Sequence, residues 1–84
     1  MPDHRRLLHQ TADLAADYLE TLETRRVGAR GTHDELVAAF GSPLPARGEA
    51  AGEVIDHLAA ISEPGLIASA GPRYFGFVIG GSLP

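Results

Sequence analysis

Apolar residues return every three or four positions in three stretches of this chain, and each stretch reads as a helix. In the first, from residue 3 to about residue 25, the stripe is Leu8, Ala12, Ala15, Tyr18 or Leu19, and Leu22. This is the spacing of one helix face. Asp13, Asp17, Glu20 and Glu23 give the opposite side an acidic, solvated character. Asp3 stands where a cap or first-turn acid belongs, and Arg25 and Arg26 stand where the macrodipole favours cations. Two glycines in Val27–Gly31 break the pattern. Thr32 then opens a capping box with Glu35, and a short helix over residues 33–40 stops at Gly41. Ser42–Gly48, set by Pro43 and Pro45, reads as an extended linker. The third helix runs from about Ala50 to Ile61, with Val54, Ile55, Leu58 and Ile61 as its apolar face. Pro64-Gly65 ends it, and Leu66–Ala70 is a short connector.

The periodicity changes after residue 70. Gly71–Pro84 reads Gly-Pro-Arg-Tyr-Phe-Gly-Phe-Val-Ile-Gly-Gly-Ser-Leu-Pro. Tyr74, Phe75 and Phe77 offer flat apolar faces, and Gly76, Gly80 and Gly81 let backbone approach a ligand or another chain closely. On composition this segment is equally a core strand and the lining of a binding loop. Leu83-Pro84 resembles the opening of a further helix, since proline fits the first helical turn, so the chain reads as a piece of a larger protein. The predicted class is mainly α: three helices over residues 1–70, then an extended apolar-glycine tail over 71–84.

Length sharpens that reading. In 84 residues, apolar burial and conformational entropy nearly cancel even with ideal packing, so a partner surface is expected to order the chain. With no cysteine there is no disulfide, no thiolate zinc site and no thiol nucleophile, which fits a cytoplasmic location. The net charge of −4 speaks against nucleic acid as a partner. No stretch reaches the roughly 18 apolar residues of a membrane span, and the N-terminus has no secretory core. All seven basic residues are arginine, so no side-chain amine is present for a Schiff base.

The remaining motifs carry little chemistry. His4 and His9 fall on different helix faces. Glu53 and His57 share one, but two ligands do not make a zinc site, and a surface pair is the simpler reading. His33 sits solvated at a helix start. The tail matches neither a Walker A loop nor a dinucleotide turn, and Ser82 lacks a nucleophile elbow. No catalytic residue and no metal ligand set is expected in this chain.

The tail does carry a resemblance. Residues 71–84 resemble a segment near the N-terminus of the group II pyridoxal-phosphate-dependent decarboxylases, which act on aromatic amino acids, histidine or glutamate. The family pattern is roughly His-Pro-x-Phe-Phe-x-Phe-x-x-Gly-Gly-Ser-x-Pro. Looser likeness extends upstream through Asp17–Leu22, Arg26-Val27-Gly28, Leu44-Pro45 and the Glu53–Ile61 helix, so it spans nearly the whole chain. Gly71 departs from the family histidine, and Ile79 stands where proline is frequent. The resemblance implies the N-terminal arm of a fold-type I enzyme, wrapped around the partner subunit of a homodimer. It implies pyridoxal phosphate as cofactor of the complete enzyme, with the cofactor lysine outside this chain. It also implies that Phe77, Val78, Ile79 and Gly80 line the substrate pocket by packing, with no part in proton transfer. The alternative from the residues alone is a free-standing helical interaction module.

Overall fold

The computed structural model describes residues 3–76. Three helices appear, α1 (His4–Thr21), α2 (His33–Phe40) and α3 (Ala51–Ser62), with a one-turn 3-10 helix at Glu63–Gly65. Among the described residues there is no strand, and the chain is mainly α, as its periodicity predicts. Phe77, Val78, Ile79 and Gly80 lie outside the described residues.

Local chemistry sets the helix ends. Asp3 caps α1, its side chain accepting from the Arg6 N–H at 3.1 Å. α1 stops short of residue 25: Leu22–Thr24 form a turn, and the Thr24 and Arg25 N–H groups fold back on the Thr21 carbonyl at 3.1 and 2.8 Å. α2 carries the full capping box. The Glu35 N–H donates to Thr32 Oγ1 at 3.2 Å, and the Thr32 N–H donates to Glu35 Oε1 at 3.0 Å. The Thr32 N–H first, and the Thr32 hydroxyl second, donate to the Glu35 carboxyl and hold it below its ordinary value. Gly41 closes α2 by donating to the Val37 carbonyl at 2.8 Å. A Cβ there would lie 2.7 Å from that same oxygen, so the position needs glycine.

α1 and α3 lie side by side and run in the same direction. Near their starts, Gln10 Nε2 donates to the Gly52 carbonyl and to Asp56 Oδ1, both at 2.9 Å. Near their ends, Arg25 pairs with Glu63, and Tyr18 Oη donates to the Ile67 carbonyl at 3.4 Å. A parallel pair needs a crossover, and residues 22–50 with α2 supply it. Leu36 seats α2 against Gly31 and Gly65, where a Cβ on Gly65 would come within 3.0 Å of a leucine methyl.

The faces that pack differ from the stripes read in the sequence. On α1 the half-buried or buried positions are Leu7, Gln10, Leu14, Tyr18 and Leu22. Leu8 stays 66% exposed, Leu19 52%, and Ala12 and Ala15 are exposed. On α3 Ile55, Ala59 and Ile61 turn inward while Val54 and Leu58 face out. Leu22 and Ala68 are the only buried apolar side chains among the described residues. The result is open: a radius of gyration of 15.2 Å, against about 12 Å for a compact chain of this length.

Candidate functional site

The site begins where the tail leaves the helices. Leu22, the last apolar residue of the α1 packing face, is buried against the returning chain. Ala68 is buried beside it, and its N–H donates to the Val27 carbonyl at 2.9 Å. Gly71 follows, donating to the Ala68 carbonyl at 3.0 Å and accepting from the Tyr74 N–H at 3.4 Å, so residues 71–74 turn sharply. A Cβ on Gly71 would meet the Leu22 and Ala68 carbonyl oxygens at 3.1 and 3.2 Å. Both are backbone atoms, held by the turn, and neither can move aside cheaply. The glycine that departs from the decarboxylase pattern is therefore a packing requirement here.

An arginine cluster surrounds this junction. The Arg25 side chain is only 12% exposed, with its guanidinium 4.6 Å from the Tyr18 ring centroid and 3.0 Å from Thr21 Oγ1. Its other arm pairs with Glu63, whose same oxygen lies 3.5 Å from Arg30. Arg73 donates to the Arg25 carbonyl. The Arg30 and Gly31 N–H groups both donate to the Pro64 carbonyl, at 2.8 and 2.7 Å. The electrostatic reason lies in the helix directions. Parallel α1 and α3 bring two carbonyl-rich C-termini to one place, and cations offset that concentration of partial negative charge. The Arg25 side chain thus ties the first helix to the end of the third, and its backbone carbonyl receives the tail through Arg73.

From this anchor the tail points outward. Pro72 and Arg73 are exposed, Tyr74 is half-buried, and Phe75 is 87% exposed. The Tyr74 phenol folds over Gly76 so closely that a side chain there would displace it. Of the flat apolar faces expected to form a lining, Tyr74 packs locally and Phe75 meets no wall among the described residues.

The opposite end of the α1–α3 pair holds a cavity of about 780 Å³ between Asp3, Arg6, Gln10, Gly52, Glu53 and Asp56. It is open, lies between the first turns of α1 and α3, and holds in Gln10 a side chain already bonded to Gly52 and Asp56. Among the described residues no three His, Asp or Glu side chains come together to hold a metal ion. Glu53 and His57 are both exposed, and no ion pair joins them among the described residues. Sequence reading missed the two residues that join the helices, Gln10 and Glu63. Gln10 interrupts the Leu7–Leu14 apolar face at helical spacing, and a polar residue so placed is a signal for a buried or half-buried hydrogen bond. Comparison with family models, with curated proteins and with solved structures finds no match.

Proposed function

We propose that this chain is the N-terminal arm of a pyridoxal-phosphate-dependent amino-acid decarboxylase, docked on a homodimer partner and non-catalytic by itself. The observation that carries the reading is the surface it leaves open. Among the described residues Leu8, Leu19, Leu58 and Phe75 are 66%, 52%, 51% and 87% exposed, apolar surface of the kind that obligate interfaces cover.

The exposed apolar positions are arranged for such a partner. Leu8, Ala12, Ala15 and Leu19 form a second stripe along α1, at the spacing of a helix–helix seam. Arg5 and Arg6 lie at one end of α1 and Glu20 and Glu23 toward the other, a polarity that suits an antiparallel copy and repels a parallel one. Phe75, 87% exposed just after the Gly71–Tyr74 turn, supports the tail as a lining completed by other walls. Residues Phe77, Val78, Ile79 and Gly80 would pack around the substrate side chain. The cofactor supplies an electron sink for loss of an α-carboxylate. With no lysine in the chain, the residues present would position and enclose, and the covalent partner would come from the continuation.

The coding sequence downstream of codon 84 tests the proposal. It should encode a lysine-bearing cofactor domain, and the joined protein should be a dimer that releases carbon dioxide from an amino acid. In that protein Phe77→Ala should lower kcat/KM about tenfold to a hundredfold, with the dimer and cofactor absorbance retained. Absence of any such domain in all reading frames would remove the proposal and leave a helical interaction module.

A further inference from the structure

We propose that the strap joining α2 to α3 is a site for an arginine-directed endoprotease, cut at the Arg47–Gly48 bond. Every basic residue here is one of seven arginines, so a protease of this class meets a short set of bonds, and the structure separates them. The bonds after Arg5 and Arg6 lie inside the first turn of α1. Arg25 is held by Glu63, Thr21 and the Tyr18 ring. After Arg26, the Val27 carbonyl is engaged by the Ala68 N–H at 2.9 Å. At Arg30, its own N–H and that of Gly31 are both bound to Pro64. Arg73 sits in the turn anchored by Gly71, with its guanidinium on the Arg25 carbonyl.

Arg47 alone lies in chain that is exposed from residue 41 to residue 50. Between Ser42 and Glu49 no backbone group is hydrogen-bonded within the described residues. Pro43 and Pro45 fix φ near the extended range, so the strap enters a cleft with little conformational entropy left to lose. Leu44, 95% exposed, is available to such a cleft, and Gly48 places no side chain beyond the scissile bond. In the cleavage, water adds across the amide. The C–N bond breaks, the hydroxyl stays on Arg47 as a carboxylate, and the proton goes to the Gly48 amine.

The cut divides the chain into residues 1–47 and 48–84 without touching the contacts that join them. Gln10 still bonds Gly52 and Asp56, Arg25 still pairs with Glu63, and the Ala68 N–H still reaches Val27. The nicked protein therefore remains one assembly with its tail anchored on α1.

The test is digestion of the full 84-residue chain with dilute trypsin, followed by mass spectrometry and gel filtration. The first products should be 1–47 and 48–84, eluting together. Arg47→Gln should slow the first cut about tenfold or more, because every other bond must wait for local opening. A first cut after another arginine, equal cutting at all of them, or prompt separation of the two pieces would overturn the proposal.

Discussion

At one end of the α1–α3 pair, Leu22, Ala68 and Gly71 close on one another under a cluster of arginines. At the other end, Ala50, Ala51 and Gly52 face Leu7 and Gln10 across an open cavity. The same two helices make both ends, so helix propensity cannot account for the difference. Side-chain volume and polar satisfaction can. The closed end offers a leucine to bury and carbonyls that receive donors from Arg30, Gly31 and Arg73. The open end sets Ala50, Ala51 and Gly52 opposite α1 and is bridged there by the glutamine Gln10 among charged, exposed neighbours. Helix direction adds to the asymmetry, because the two C-termini gather where arginine can neutralise them.

Breaking the closed end should have the largest effect. Leu22→Ala removes the principal buried side chain and is expected to cost about 2–5 kcal/mol. In so small a chain that should abolish most of the helical circular dichroism of the isolated protein. Gly71→Ala asks two backbone carbonyls to retreat and should cost about 1–3 kcal/mol, read as a lowered melting temperature. A fully native melt would show that the turn relaxes freely. The polar links come next. Glu63→Gln leaves two guanidiniums without their carboxylate and should cost about 1 kcal/mol, an effect that shrinks in salt because Glu63 is partly exposed. Gln10→Ala should cost no more than that, about 0.5–1 kcal/mol. If it costs more than Leu22→Ala, the ranking of the two ends is inverted.

The smallest effect is set by pH and confined to α2. The Glu35 carboxyl titrates below its ordinary value of 4.5 because the Thr32 N–H and hydroxyl donate to it. A lowered folded-state value means the contribution is fully present above 4.5 and lost as pH falls through the lowered value. Amide protection factors in residues 33–40, corrected for the intrinsic pH dependence of exchange, should therefore fall on acidification through that value. Thr32→Ala should flatten the response by removing the hydroxyl's share.

The elements that sequence reading located best are those fixed by neighbours in the chain. Thr32, Glu35 and Gly41 define α2 through contacts three to four residues apart, so its limits of 33–40 agree with the structure. The α1 face was not legible in the same way. Leu7 and Leu8 are adjacent, and the sets Leu7–Leu14–Tyr18 and Leu8–Ala12–Ala15–Leu19 both have helical spacing. Which one packs is decided by Gln10 reaching Gly52 and Tyr18 reaching Ile67, contacts that no local window contains. The macrodipole reading of Arg25 located a cation at the right end but not its partner Glu63. At the junction, Gly71 looks in sequence like a departure from a motif, and only the carbonyls around it reveal why a side chain is excluded.

The separation in sequence of these contacts has a kinetic consequence. Gln10 and Asp56 are 46 residues apart, Arg25 and Glu63 are 38 apart, and Tyr18 and Ile67 are 49 apart. Each demands closure of a long loop before any contact energy is returned. The capped α2 turn can form and dissolve alone within about a microsecond, but its packing through Leu36 on Gly65 waits for the end of α3 to arrive. Folding of the chain is then a single late event: the two parallel helices meet, and the junction at Leu22 locks in the same step. Until that step the long apolar positions of both helices stand in water together, which makes the interval before locking the time when a second chain most readily joins.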